Sequence, residues 1–548
     1  MTFCLSSMRS LTAKLKQNWK SGVTVSLVSI PLSVSLAVAS HASPSMGIVT
    51  AVWAGLVASL FGGSNFNIVG PTGALSGLLA MYAMTHGAGT LPMLALLSGA
   101  LILIAQLLRM ERYLVLVPGS AIHGFTLGVA FIIGLNQMNF ALGLSGLETH
   151  EKFIQNVVES ARHVGSASLP VVLVFAVSLT FLFLFKKFRP KLPGAILLAP
   201  LGILAGYAGS AGMLPFHLPT LGALYPSIAG GLFLPYTFVF KQTMIAPAFA
   251  IALIAIIETM VSAKIADGMT KTKYHKQNEM RGLALANIAS GVMGGMPATA
   301  ALARTSLNVK TGADDKLSAT ISSIGVGVIS LVFLGYFTYI PLAVIAAILV
   351  YVAVQMVEAE HFKRMFAHDR KSFFVAIFVA FVTIYVDPIV GIILGVGIAL
   401  LILVEKLSRG QFDLIVNDQN KKIVRHITGE KLQEITEGSN TIVYSIGGLL
   451  CYVNGEAHLE RFHRRLNGFE NIILRLRDVY YVDIDGAEAM DEIIRVIQAK
   501  GKNVFVSSVN PLIDEMLNES EAYKNLKADG NVFEKSSDVL KHLGFRIA

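Results

Sequence analysis

Residues 294–308 read "GGMPATAALARTSLN" and place a fixed cation, Arg304, a short distance after a Gly-Gly pair and Pro297. Small residues fill the gap, and the flanks on both sides are long apolar blocks. A helix broken at such a point leaves backbone N–H groups free and presents the positive end of its dipole, an arrangement that holds anions. A second stretch of the same character, "GPTGALSG", covers 70–77. The hydroxyls of Thr72 and Thr299 could donate to an anion, and Gly73, Ala74, Ala300 and Ala301 would let one approach the backbone. Arg304 would add positive field. The competing reading is an arginine reaching to a membrane edge, since this short segment ends by Lys310. The other ionisable group within an apolar run is Glu258 in "IAIIETMVSAKIADG", with Ser262 one turn further on the same helix face. A carboxylate with a hydroxyl can hold Na+, and a buried carboxylate alone can take up H+. An ion pair between Glu258 and Arg304 is a third role, compatible with either. No metal site beyond a Na+ at Glu258 is expected, because Cys4 and Cys451 lie far apart.

The elements that must position these groups follow from composition. The 548 residues are 54% hydrophobic and 14% charged, whereas a soluble domain is about a quarter charged. The charge is uneven: long apolar blocks fill 1–410 and an ordinary soluble mixture follows. The expected organisation is a transmembrane domain over 1–410, a linker over 411–440 and a small soluble domain over 441–548. A span needs roughly 20 apolar residues. Blocks near 21–41, 45–62, 66–84, 90–110, 115–134, 168–187 and 192–210 form one set, and blocks near 241–266, 280–294, 298–311, 315–337, 339–355, 372–390 and 391–407 a second. Fourteen spans result, with the third and tenth short or broken. No signal peptide is expected before the first.

The formal net charge of +9 does not indicate nucleic acid, because the basic residues cluster in short loops. Arg109 and Arg112 follow the fourth block. Lys186, Lys187, Arg189 and Lys191 follow the sixth, Lys271, Lys273 and Lys276 the eighth, and Lys363, Arg364, Arg370 and Lys371 the twelfth. The opposite loops are nearly bare, with Lys152 and Arg162 as exceptions in a longer one. By the positive-inside rule both termini are cytoplasmic. Pro71 and Pro297 stand 226 positions apart, and the same offset carries the first, fourth and fifth blocks onto the eighth, eleventh and twelfth. Seven spans is an odd number, so the two halves have opposite orientation. Inverted repeats with interrupted helices at matching positions mark secondary transporters, whose substrate site lies where the broken helices meet.

The tail alternates short strands and helices: "TIVYSI", a helix near 456–466, "NIILRLR", a helix near 486–499, "NVFVSSV", then helices near 511–518 and 536–543. This is a small α/β domain. It carries no phosphate loop, HExxH motif or nucleophile elbow, so the chain is not read as an enzyme.

Over nearly its whole length the chain resembles the SulP (sulfate permease) anion transporters. The residues that carry the resemblance are "IVGPTGALSG", "IETMVSAKIADGMT", "PATAALARTSLN", "VDPIVGIILGVGIAL" and, in a C-terminal domain resembling the STAS type, "LRDVYYVDIDGAEAM". The resemblance implies a 7+7 inverted repeat, a core domain that moves against a gate domain in an elevator-like way, and a homodimer. It puts the anion at the starts of spans 3 and 10 and the coupling residue at Glu258. Three positions depart from the family pattern. Leu32, not glutamine, follows Pro31. Ala303, not a hydroxyl residue, precedes Arg304. Asp485 stands where related regulatory domains have a phosphorylatable serine, and aspartate there also suits a cap for the helix near 486–499. The implied function is secondary-active transport of a small oxyanion of the sulfate or bicarbonate class, coupled to H+ or Na+, in a bacterial inner membrane. C4-dicarboxylate transport, or an anion channel or sensor signalling to a cytoplasmic partner through the STAS domain, are the alternatives.

Overall fold

In a bilayer every backbone polar group must find a partner within the protein, so long apolar runs fold as helices. The computed structural model describes residues 2–147, 153–189, 193–225, 231–386, 388–417, 423–428, 440–465 and 469–545. Lys152, Lys191 and parts of the expected linker lie outside these. The chain divides into two compact units, Met1–Gly397 and Ile398–Ala548.

The first half runs α1 (Thr2–Ala39), α2 (Pro44–Phe61), β1 (Val69–Gly70), α3 (Gly73–His86), α4 (Leu91–Leu107), α5 (Gly119–Leu135), the short α6 (Met138–Leu142), α7 (Phe153–Arg162), α8 (Leu169–Phe188) and α9 (Ala195–Ser210). After α10 (Leu221–Leu224) come α11 (Ile245–Thr270), α12 (Lys276–Val292), β2 (Thr299–Ala300), α13 (Leu302–Lys310), α14 (Leu317–Phe333), α15 (Leu342–Met356), α16 (Ala359–His368), α17 (Arg370–Tyr385) and α18 (Pro388–Ser408). A helix lies in each of the fourteen apolar blocks. Among the described residues nine helices are long and apolar enough to cross a membrane by length and composition. Their outward faces carry large apolar side chains, such as Leu173 and Val177 on α8 and Val328 and Leu331 on α14. In water such a surface would aggregate; against lipid it is the expected one.

The two interrupted elements differ from plain helices as the Gly/Pro stretches predict. β1 and β2 are two residues each and pair antiparallel, Val69 with Ala300 and Gly70 with Thr299. α3 then has 14 residues and α13 has 9. Thr72 and Ala301 are the N-cap residues, 229 positions apart, so Pro71 directly precedes its cap whereas Pro297 stands four residues before its own. Because α13 begins only at Leu302, Arg304 sits in its first turn.

Helix packing within this unit falls into two groups. α4 lies on α12 and α2 on α14, while α1 lies on α14 and α11 on α4. Separately, α5 packs on α17 and α15 on α8. Small residues set these approaches: a Cβ at Gly124 would collide with the backbone of Ala376 on α17.

The second unit is built on a six-stranded sheet in the order β4-β3-β5-β6-β7-β8. Its elements are β3 (Gln411–Asn417), β4 (Ile423–Thr428), β5 (Thr441–Leu450), α19 (Gly455–Arg465), β6 (Asn471–Val482), α20 (Ile484–Ala499), β7 (Asn503–Ser507), α21 (Pro511–Leu517), α22 (Glu521–Ala528), β8 (Val532–Phe533) and α23 (Ser536–His542). The stretch read as a linker therefore contributes two strands, and β3 pairs along β5 from Gln411 to Asn417. Strand alternation sorts the core: Ile442, Tyr444 and Ile446 join the larger cluster, while Val443 packs with Ile473, Phe505 and Val539 on the other face. Asp483, not Asp485, caps α20, its carboxylate accepting from the N–H of Gly486 at 2.8 Å. Asp485 is exposed in the first turn.

One buried histidine gives this unit a pH dependence. His458 is fully buried, its Nδ1 lies 2.8 Å from the Tyr444 hydroxyl, and its Nε2 has no hydrogen-bond partner among the described residues. Burial, with Arg461 nearby, lowers its pKa to about 3. The unfolded chain protonates it near the ordinary value of about 6.5, so the unfolded state binds more protons and stability rises with pH. The contribution is complete above about 6.5 and is lost as pH falls toward 3. Urea denaturation of a 409–548 fragment should show about 2 kcal/mol less stability at pH 5 than at pH 7 from this group. The His458→Gln variant should lack that part of the slope.

Candidate functional site

The interrupted backbone at 62–72 and 293–301 lies between packed helices, and buried polar side chains take up its hydrogen bonds. The Glu279 carboxylate accepts from the N–H of Gly63 at 2.6 Å, the N–H of Ser64 at 2.7 Å and the Asn67 amide at 2.6 Å. Asn287 pairs with Ala298 as a strand would, accepting from its N–H and donating to its carbonyl, both at 2.9 Å. Thr50 accepts from the N–H of Met296 at 2.8 Å and Ser290 donates to the Met296 carbonyl at 2.7 Å. Asn308 donates to the Phe66 carbonyl at 2.9 Å. Thr305 accepts from the N–H of Ile68 at 3.1 Å.

This framework delivers the starts of α3 and α13 to one place. Neither N-cap side chain accepts a hydrogen bond from its helix, so the first-turn N–H groups have no acceptor there. Arg304 is only 2% exposed. Its Nη2 donates to the Pro71 carbonyl, and among the described residues its Nη1 has no partner. Gly70 makes room for it: a Cβ there would lie 3.0 Å from Nη1 and 3.3 Å from Nη2, and the guanidinium would have to shift by a few tenths of an ångström. Glu258, in the middle of α11, accepts from the Thr72 hydroxyl at 3.1 Å. Among the described residues no ion pair within 4.0 Å joins Glu258 to Arg304. Both line a cavity of about 540 Å³, with Leu32, Ala74, Ala303 and Lys310 on its walls.

The structure thus brings Arg304, Glu258 and Ala74 together, with Thr72 and Thr299 joined to them through their hydroxyl contacts to Glu258, and it sets Gly73, Ala300, Ala301 and Ser262 apart. Gly73 is covered, since a Cβ there would meet Ile133 at 2.8 Å and Met356 at 3.0 Å. The Thr299 hydroxyl lies 3.0 Å from that of Thr259 and donates to the Ala255 carbonyl at 3.2 Å. Ala300 is fully buried in the strand pair, and Ala301 receives no place in the cavity wall. Ser262 turns away from Glu258: its hydroxyl donates to Asn67 at 3.0 Å. Sequence reasoning missed Glu279 and Asn67, whose partnership spans 212 positions. It also missed Lys186, His123 and Glu358, which line the cavity from other helices.

Residues 15–379 match the pattern of the sulfate permease family, and 433–538 match the STAS domain. The chain belongs to the sulfate permease family. Members named among its relatives are transporters. It is 28% identical to the putative sulfate transporter YvdB of Bacillus subtilis, over 94% of this chain and 95% of that one. It is 23% identical to the bicarbonate transporter BicA of Picosynechococcus, over 93% of this chain and 91% of that one. The fold superposes on murine Slc26a9, an anion transporter in the inward-facing state, with a TM-score of 0.83, covering 96% of this chain and 91% of that one at 14% identity. It also superposes on the transmembrane domain of a cyanobacterial BicA, with a TM-score of 0.61 at 23% identity, covering 69% of this chain and 97% of that one. At these identities the structural likeness establishes the fold. This sulfate permease family chain is therefore a multi-pass integral membrane protein with a C-terminal STAS domain.

The framework around the break predicts a stability result. Glu279→Ala removes the acceptor for two backbone N–H groups and the Asn67 amide, and leaves them buried and unpaired. The loss should be about 3 kcal/mol or more. Thermal unfolding in detergent should show a lower midpoint for Glu279→Ala, and a smaller drop for Glu279→Gln, which keeps one acceptor oxygen.

Proposed function

We propose that the chain is a secondary-active transporter of a small oxyanion, of the sulfate or bicarbonate class. The observation that carries this reading is the Arg304 guanidinium, buried in the first turn of α13 against the Pro71 carbonyl, with Nη1 unpartnered among the described residues and Glu258 on the wall of the same cavity. A buried cation at membrane depth is costly, on the order of 2.5–3.5 kcal/mol or more, and a ligand anion offsets that cost. The relatives named for sulfate and bicarbonate support the substrate class. Leu32 and Ala303, which replace polar residues of the family pattern, both line the cavity, so recognition falls to Arg304 and the helix N-termini.

Cation coupling belongs to Glu258 on this reading. Ser262 is engaged with Asn67, which removes one of the two oxygen groups expected for Na+ and favours H+. The exchange of partners between halves, with α1 on α14 and α11 on α4, supports fourteen spans in a 7+7 inverted repeat. The two packing groups, one around α1–α4 and α11–α14 and one around α5, α8, α15 and α17, support an elevator-like movement of core against gate. The basic loops support cytoplasmic termini and a cytoplasmic STAS domain, in a bacterial inner membrane. A homodimer, with a cytoplasmic partner at the STAS domain, rests on the family resemblance alone.

Uptake into liposomes of labelled sulfate, bicarbonate and succinate, under imposed Na+ or H+ gradients, tests the reading. Arg304→Ala should weaken apparent anion affinity about tenfold or more while the melting temperature holds; unchanged affinity in a folded variant overturns the assignment. Glu258→Gln should abolish accumulation driven by a cation gradient and leave anion-for-anion exchange. Concentrative uptake equal to that of the parent protein would remove Glu258 from the coupling.

A further inference from the structure

His123, at the start of the second turn of α5, faces the start of α16. Its Nδ1 lies 3.2 Å from Oε2 of Glu358, the residue before α16. His361 follows Glu358 by three positions, and its ring centroid is 3.8 Å from that of His123 with the planes inclined at 31°. One ligand atom from each of the three residues lies within 4.8 Å of the other two. Two imidazoles and a carboxylate are the donor set of open zinc sites, with metal–ligand bonds of about 2.0–2.2 Å. A tetrahedral ion with such bonds holds its ligand atoms about 3.4 Å apart. The existing separations approach that spacing, and the flexible Glu358 side chain can supply the remaining closure. The Glu-x-x-His spacing at 358 and 361 puts two ligands on one face of the first turn of α16, and the third comes from a different helix.

We propose that His123, Glu358 and His361 form a site for a divalent first-row transition metal of the zinc class. Three protein ligands leave a coordination position open. His123 and Glu358 are also on the wall of the cavity that holds Arg304, so that open position is supplied with water or a small anion from the cavity. The bound ion would tie α5 to α16 and add positive charge to the cavity wall. This inference does not depend on the transport reading, because it rests on three residues that the anion and coupling roles leave unused.

Calorimetric titration of Zn2+ into the full-length protein, with any affinity tag removed, tests the site. One ion per chain should bind with micromolar or tighter affinity. His123→Ala and His361→Ala should each weaken binding at least about tenfold, and Glu358→Gln should weaken it in the same direction, with metal-free melting temperatures unchanged. Co2+ gives a readout that needs no variant: four- or five-coordinate Co2+ produces intense visible absorption bands. Weak bands like those of aqueous Co2+ overturn the proposal. So does equal Zn2+ affinity in the folded His123→Ala/His361→Ala double variant, in which case the cluster is only a hydrogen-bonded contact between the two helices.

Discussion

Backbone that leaves the helix inside a bilayer must still satisfy every N–H and C=O, and that constraint organises this membrane unit. Two stretches, before α3 and before α13, break the rule of continuous helices. Each is held by groups that a plain hydrophobic bundle would not contain: Glu279, Asn287, Asn308, Thr50 and Thr305 stand in for missing backbone partners. The strands β1 and β2 satisfy one another at their crossing. Because the acceptors are side chains from α2, α12 and α13, the broken segments are tied to three helices at once. Their geometry is then as fixed as that of a helix, while their helix N-termini stay open toward the cavity.

The same constraint explains why charge concentrates where it does. Glu279 is an acid that works as a structural acceptor, with three donors around it. Glu258 is an acid less buried than Glu279, met by the hydroxyls of Thr72 and Thr299, and it borders open volume. Two carboxylates 21 positions apart thus have different surroundings: one is buried and held by two backbone N–H groups and an amide, and the other meets only side-chain hydroxyls on the cavity wall. Arg304 shows the complementary pattern, with Nη2 bound to the Pro71 carbonyl and Nη1 without a partner among the described residues. A group that keeps free hydrogen-bonding capacity at high burial is a group placed for a ligand.

Apolar runs of span length, Gly/Pro breaks and an alternating tail made the architecture legible in the sequence, because each is a local pattern with a local cause. The two half-helices were visible as "GPTGALSG" and "GGMPATAALA". What escaped were facts of long-range pairing. Nothing local says that Asn67 meets Glu279, or that the Ser262 hydroxyl is taken by Asn67 although it lies one turn from Glu258. The Pro71–Pro297 alignment misled by three positions because the chain after Pro297 runs further before its helix begins. That same delay moved Arg304 into the first turn of α13. In the tail, β3 and β4 were read as linker because they join the sheet at its far edge, where strand signals are weak. Asp483 took the cap expected of Asp485 because the helix begins two residues earlier than its hydrophobic pattern.

The apolar replacements in the cavity bear on selectivity. Leucine at 32 and alanine at 303 offer no side-chain donor to the cavity, and the cationic groups on its wall are Arg304 and Lys310 of α13 and Lys186 of α8. Such groups respond to charge and size more than to the number or direction of hydroxyls on an anion. A site built on matched hydrogen bonds rejects an analogue lacking one of them strongly, because a buried polar group is then left unpaired; a site built on field and shape discriminates by smaller factors. If the oxyanion reading holds, these two positions make this chain a weak discriminator between anions of similar radius. Specificity would then be set by which anion is abundant and by the coupling ion, and less by the cavity wall itself.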